Sequence, residues 1–135
     1  MAGRPRKTRY PWGNDEGDCK RSATSRAIIG GTSPCMKEAI GPDDVNAHPN
    51  DVTPFGALGL GGGVSEWVRD SYADYASSCW ASATIADPTC AEGRGTSWRG
   101  SSWMTPLYWS TYRVGFTLDL PVVFVGFRCV YEVTP

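Results

Sequence analysis

Apolar residues are spread unevenly along the chain, and their spacing predicts where regular structure forms. Residues 10–50 are broken by clusters of Pro, Gly, Asn and Asp, which impose turns. Residues 64–75 are rich in aromatic and β-branched side chains, and their spacing fits either a helical stripe or a strand. Three later segments have the pattern of strands: residues 96–103, 108–116 and 122–133. The pattern therefore predicts a loop-rich α+β domain with a mostly antiparallel sheet.

Composition narrows the classes of partner. The chain has 135 residues, 41% of them apolar, and a formal net charge of −1. We expect one small domain over residues 10–135 behind a basic tail at residues 1–9. The near-neutral charge argues against nucleic-acid and membrane-surface partners, and no apolar run has the ~18 residues of a membrane span. No signal-peptide pattern follows Met1, and the composition does not determine an oligomeric state.

The five cysteines are placed as two local pairs and one isolated residue. Cys19 and Cys35 bracket one Gly/Ser/Thr-rich segment, and Cys79 and Cys90 bracket a second. Bridges closing such short loops would each remove about 3 kcal/mol of unfolded-state entropy. The alternative is a set of free thiols in a reducing compartment, whereas bridges would favour an extracytoplasmic parent protein. Cys129 stands in the final apolar run, where we expect a buried thiol.

Six short segments, in order, resemble the C-terminal part of the formylglycine-generating enzyme, or sulfatase-modifying-factor, family. They read Tyr-Pro-Trp-Gly, Asp-Val-Thr-Pro-Phe-Gly, Gly-Gly-Val-Ser-Glu-Trp, Arg-Gly-Ser-Ser-Trp, Tyr-Arg and Gly-Phe-Arg, at residues 10–13, 51–56, 62–67, 99–103, 112–113 and 126–128. The resemblance implies an elaborated C-type-lectin-like fold and makes residues 64–75 a strand. Because only a short segment precedes Tyr10, it also implies an N-terminally truncated version of the family domain.

The resemblance also shows where the family's chemistry is missing. Its oxidases hold Cu(I) with two cysteine thiolates that follow the Gly-Gly-Ser segment, because thiolates are the soft ligands that Cu(I) prefers. The nearest positions here are Thr105 and Ser110, and no cysteine lies between Cys90 and Cys129. Hydroxyl groups do not supply a soft anionic ligand. Copper-dependent oxidation is therefore not supported, and the chain leans toward a non-catalytic member of the family.

A calcium site is the second feature that the resemblance implies. Carried over to this chain, the ligands are the backbone carbonyls of Gly62 and Val64 and the carboxylate of Glu66. Glycine stands where the family has two of its side-chain positions, at Gly59 and Gly63, which should weaken such a site. The alternative role for Glu66 is a hydrogen-bonded structural carboxylate.

Two arginines lie in strand-like, aromatic surroundings, where an unpaired buried charge is costly. We expect Arg113 and Arg128 to pair with internal carboxylates, for which the candidates are Glu66, Asp70 and Asp119. The alternative puts Arg113 on the rim of a ligand groove lined by Trp103, Tyr108 and Trp109.

Three functions remain open at this point. The leading hypothesis is a non-catalytic scaffold that presents an aromatic surface to a protein, peptide or glycan. The second is an oxidase with divergent or missing active cysteines. The third is a variable ligand-binding protein of a diversity-generating retroelement, because such proteins vary residues before a Gly-Phe-Arg like that at 126–128. Residues 116–125 are all reachable from an Asn codon by changes at adenine, whereas Met104 and Trp109 are not; whether residues 104–125 vary is a question for the gene.

Overall fold

The computed structural model describes residues 8–24, 35, 41–81, 89–117 and 121–129. The chain divides into two compact units. The first unit comprises Met1–Val64 and Gly100–Tyr112, and the second comprises Ser65–Arg99 and Arg113–Pro135. Most of the predicted basic tail (residues 1–7), Asp119 and the part of the last predicted strand after residue 129 lie outside the described residues.

The second unit is built on a small sheet. In the described residues its strands are β1 (Ser65–Ser71), β2 (Thr96–Arg99), β3 (Val114–Phe116) and β4 (Val125–Gly126), arranged in the order β3-β2-β1-β4. β2 runs antiparallel to both β1 and β3, whereas the short β4 runs parallel to β1. This architecture agrees with a loop-rich α+β domain whose sheet is mostly antiparallel.

An aromatic cluster forms the core of this unit. Trp67 of β1 lies directly opposite Trp98 of β2, and their rings meet edge to face with centroids 5.4 Å apart. Phe116 and Phe124 contact the Trp98 ring from two further directions, at 5.3 and 5.7 Å. Cross-strand aromatic pairs of this kind stabilise a sheet beyond the area they bury. Trp98, only 6% exposed, is therefore the centre of the core.

A disulfide ties a single helical turn to the sheet. Helix α1 (Ser78–Ala81) carries Cys79, which is bonded to Cys90. Cys90 is anchored in turn, because its amide donates to Asp70 Oδ1 (2.9 Å) and its carbonyl accepts from the Ser71 amide (2.9 Å). The bridge predicted from the local cysteine pair is therefore present in the structure.

The strands are shorter than the sequence pattern predicts, although residues 64–75 do contain a strand and not a helix. β2 ends at Arg99 because Gly100 takes a positive φ of 79°. β3 begins only at Val114, since residues 108–112 form a turn. Within the described part of the last segment, β4 has two residues and the exposed Cys129 lies beyond it. The prediction of a buried thiol at Cys129 is therefore wrong.

The first unit is built from turns and not from regular elements in its described residues. Its interior combines Tyr10, Ala23 and Trp103 with small buried polar side chains such as Ser101 and Ser102. Ser101 Oγ accepts the Tyr108 amide at 2.7 Å, so this polar group is satisfied inside the unit. The predicted Cys19–Cys35 disulfide lies in this unit as well.

The glycine segment, residues 61–63, packs closely against other backbone of the first unit. The Gly63 amide donates to the Ala23 carbonyl (3.0 Å), and the Gly63 carbonyl accepts the Trp103 amide (2.8 Å). A Cβ on Gly62 would lie 2.8 Å from the Ala23 backbone nitrogen, so a larger residue does not fit there.

None of the helical residues that the structure describes belongs to a segment with the length and apolar character of a membrane span.

Candidate binding site

A turn in the first unit presents two aromatic rings to solvent. It spans residues 108–112 and is called the Trp109 turn below. Trp109 is 58% exposed and Tyr112 is 48% exposed. The turn is closed by the Tyr112 amide, which donates to the Trp109 carbonyl at 2.8 Å, and the Tyr108 and Tyr112 rings stack with centroids 4.4 Å apart. Burial is the main cause that raises the pKa of Tyr108, and Tyr112 adds to it. The turn hydrogen bond and the stacking therefore restrict the positions of the Tyr108 and Tyr112 rings.

The N-terminal part of the first unit supports this turn. The Arg9 carbonyl accepts the Ser110 amide at 2.8 Å, and the Arg9 guanidinium lies over the Trp109 ring at 5.6 Å. Arg9 is in turn held by Glu16, because Arg9 Nη1 donates to Glu16 Oε1 at 2.8 Å. A cation over an indole face is an attractive contact that restricts the ring. Arg9 is thus a positioning residue that the sequence pattern did not identify.

Glu16 also accepts a hydrogen bond from the buried Tyr10. Tyr10 Oη donates to Glu16 Oε2 at 2.8 Å, and this hydrogen bond, together with burial, raises the pKa of Tyr10 above its ordinary value. Because the folded protein favours the neutral phenol, Tyr10 contributes stability that is complete below the ordinary tyrosine pKa of about 10. That contribution is lost as the pH rises through the higher pKa of the folded state.

We therefore expect the free energy of unfolding to fall in alkaline solution partly through Tyr10. The Tyr10→Phe variant should show a shallower decline over the same pH range, although it is less stable at neutral pH because Glu16 loses a donor. Denaturant unfolding at a series of pH values checks this, alongside phenolate absorbance to follow ionisation. Parallel alkaline declines in the two proteins would contradict the assignment.

The two hydroxyl residues near the family's cysteine positions have structural surroundings. Thr105 Oγ1 accepts the Ser102 amide at 2.7 Å and lies 3.2 Å from Ser102 Oγ, so it caps a turn. Ser110 is exposed and is held through its amide by Arg9. Neither offers a thiolate, so these two positions do not supply the soft ligands that Cu(I) prefers.

Two of the predicted binding residues lie in the interior. Trp103 is 7% exposed in the first unit, and Arg113 is 8% exposed in the second. Of the predicted set, Tyr108 and Trp109 belong to the exposed turn, and Tyr112 joins them. The sequence held a signal for Tyr112, since it follows Trp109 at the three-residue spacing that a tight turn brings together.

Within the described residues, Arg113 meets a carbonyl and aromatic rings in place of the expected carboxylate. Its Nη2 donates to the Ala73 carbonyl at 2.6 Å. Its guanidinium lies over three rings, those of Tyr75 (3.8 Å), Trp80 (4.7 Å) and Tyr72 (5.7 Å). The expected pairing is therefore wrong for the carboxylates that the structure describes, and the aromatic residues of 72–80 take their place.

Arg128 pairs with Glu66, as predicted. Arg128 Nε donates to both Glu66 oxygens, at 2.7 and 2.8 Å, and Nη2 donates to Oε1. This bidentate contact joins the start of β1 to the residues after β4. Glu66 is therefore a hydrogen-bonded carboxylate in this structure, and the contact leaves calcium binding untested.

Calcium binding stays a prediction. Gly62 and Val64 belong to the first unit and Glu66 to the second. Among the described residues, no three His, Cys, Asp or Glu side chains form a group that would hold a metal ion. The predicted set relies mainly on backbone carbonyls, which leaves it untested by that observation.

Asp51, the first residue of the motif segment at 51–56, is a structural anchor. Its side chain is buried (1% exposed), and both carboxylate oxygens accept the Gly61 amide, at 3.0 and 2.9 Å. Its backbone carbonyl also accepts the Gly59 amide at 2.8 Å. Asp51 therefore holds the entry to the glycine segment in place.

Comparison with known families agrees with the motifs. The family model of the sulfatase-modifying factor enzyme 1-like domain matches residues 1–133, almost the whole chain. The chain therefore belongs to the sulfatase-modifying-factor (FGE-sulfatase) family. No curated protein and no solved structure gives a significant match.

Proposed function

We propose that this chain is a non-catalytic member of the family and that its Trp109 turn binds a protein, peptide or glycan ligand. The observation that carries the proposal is the pair of exposed rings on a turn whose backbone and stacking are already fixed. Exposed Trp and Tyr supply large contact area and have few rotatable bonds to immobilise. A preorganised aromatic surface loses less entropy on binding and is typical of interface hot spots.

The test compares two alanine variants of exposed aromatic residues in the first unit. Trp109→Ala removes the central ring of the turn. Phe55→Ala removes a residue that is 80% exposed on a different turn, so it serves as the matched control. Wild type and both variants are screened against a displayed random peptide library and a panel of immobilised glycans.

We expect the ligands selected by wild type to bind Trp109→Ala about thirty-fold more weakly, the loss of a typical hot spot. Phe55→Ala should keep the wild-type affinity. Selection of the same ligands by wild type and Trp109→Ala with equal affinity would contradict the proposal, and so would the absence of any selected ligand.

The variable-protein hypothesis is the second candidate, and one observation favours it. The Trp109 turn lies within residues 104–125, and a segment that varies to change ligand specificity must place side chains in solvent. Tyr112 and Val123 in this segment are strongly exposed, whereas Trp109, which changes at adenine do not produce from an Asn codon, would be fixed by the template. An adenine-rich near-copy of the coding segment beside the gene would support this candidate, and its absence would remove it.

The oxidase hypothesis is the least supported of the three. It requires soft thiolate ligands, and no cysteine stands between Cys90 and Cys129. Cys90 is bonded to Cys79, and Cys129 is one exposed thiol. We expect no formylglycine product when the intact chain is incubated with copper, oxygen and a cysteine-containing sulfatase peptide and the peptide mass is measured.

A further inference from the structure

In the described part of the chain, Arg113 lacks acceptors for most of its donors. Nη2 has a hydrogen-bond partner, the Ala73 carbonyl, whereas Nε and Nη1 are buried and have none there. Those two nitrogens carry three of the five guanidinium N–H groups. Buried charged donors without acceptors are costly, and folded proteins seldom retain them without a reason. By contrast, Arg128 in the same unit donates hydrogen bonds to the Glu66 carboxylate.

We propose that Arg113 recognises the carboxylate of a planar, apolar ligand, at a site separate from the Trp109 turn. The carboxylate accepts hydrogen bonds from Nε and Nη1 and neutralises the buried charge. A carboxylate is flat, so it can lie in the plane of a guanidinium whose faces are covered by rings. A tetrahedral oxyanion lacks that flatness. The rings of Tyr72, Tyr75 and Trp80 contact the apolar part of the ligand.

Two of the three aromatic walls are anchored. Trp80 lies on α1 next to the disulfide-bonded Cys79, and its Nε1 donates to the same Ala73 carbonyl at 3.2 Å. Tyr72 is held by the backbone, since its amide donates to the Gly95 carbonyl and its own carbonyl accepts the Arg94 amide at 2.8 Å. These walls give the site a defined shape.

Tyr75 is the wall that moves to admit the ligand. It is 54% exposed and belongs to a turn closed by the Ser77 amide, which donates to the Asp74 carbonyl at 2.9 Å. Its ring lies nearest to the guanidinium, at 3.8 Å. Its hydroxyl accepts from Arg99 Nη2 at 3.2 Å, which places a second positive charge at the entrance and favours an anionic ligand.

The experiment titrates the intact wild-type chain with benzoate, with the neutral isostere benzamide as the comparison. The readouts are the Arg113 Nε–H signal in ¹⁵N NMR and tryptophan fluorescence. We expect benzoate to shift the Nε–H signal and to bind at least ten-fold more tightly than benzamide. Equal binding of the two compounds, or no change of the Nε–H signal with benzoate, would overturn the proposal.

Variants separate Arg113 from the other arginines. Arg113→Met keeps the length of the side chain and removes its charge, and Arg69→Met removes an exposed arginine of β1 as the control. We expect benzoate binding to be lost in the first variant and unchanged in the second. If Arg113→Met does not fold, the wild-type NMR titration still decides the question. Benzoate binding that survives in a folded Arg113→Met protein would refute the site.

Discussion

Replacing Trp98 with alanine should lower the free energy of unfolding by about 4 kcal/mol, the cost of deleting a large buried aromatic side chain. The ring is almost fully buried and contacts Trp67, Phe116 and Phe124. Its removal leaves a cavity that three aromatic rings on separate segments cannot all close. Denaturant unfolding followed by near-ultraviolet circular dichroism measures the loss, since that signal reports aromatic packing.

Trp98→Phe is the matched control. The indole Nε1 of Trp98 is buried and has no hydrogen-bond partner among the described residues, so phenylalanine removes an unsatisfied donor and keeps most of the ring contacts. We expect a loss below about 1.5 kcal/mol for this change. A loss as large as that of the alanine variant would mean that the indole nitrogen, and not the packing, stabilises the core.

Gly95→Ala should lower the free energy of unfolding by about 3 kcal/mol, because backbone strain and a steric clash act together. Gly95 has a φ of +69° just before β2. A Cβ there would overlap the Phe116 carbonyl oxygen and lie 3.0 Å from its carbon, and this is backbone that β2–β3 pairing holds in place. The neighbouring pair Thr96–Phe116 should therefore separate in the variant, and thermal or denaturant unfolding reports the loss.

Gly56→Ala separates strain from clash. Gly56 has a similar φ of +83°, but nothing lies within 4 Å of the position that a Cβ would take there. The left-handed conformation alone should cost about 1 kcal/mol. Equal losses in the two variants would show that the Gly95 region relaxes and that strand pairing does not hold Phe116 in place.

Local features of the structure were predictable from the sequence. The disulfides join cysteines that are 16 and 11 residues apart, and short loops bring such partners together at small entropic cost. The strand at Ser65–Ser71 follows from its aromatic and β-branched content together with the family resemblance. The pairing of Arg128 with Glu66 could be predicted because an arginine among aromatic, strand-forming residues was expected to need a carboxylate partner. The turn at residues 108–112 was not predicted, since the pattern indicated a strand there, although Tyr108 and Trp109 were among the candidate binding residues.

The environments of Trp103, Arg113 and Cys129 depended on contacts between distant residues. Periodicity marks a side chain as apolar or charged, but it does not tell which of several apolar residues is covered by others. Trp103 is buried and Trp109 exposed, although both are tryptophans in the same predicted aromatic surface. A carboxylate partner was predicted for Arg113 because a sequence shows which residues carry opposite charges but not which rings and carbonyls fold against them.

Residue identity and short spacing were enough to indicate the family, to predict two local disulfides with free thiols as the alternative, and to show that no soft-metal cysteine pair follows the Arg-Gly-Ser-Ser segment. Only the folded chain shows that Trp109 and Tyr112 are exposed on a hydrogen-bonded turn. The same holds for the position of Arg113 among aromatic rings. The surroundings of Arg113, for example, depend on Ala73, a residue forty positions earlier that folding brings into contact with it. The physical reason is that burial and hydrogen-bond satisfaction are properties of the packed chain, which no local stretch of residues contains.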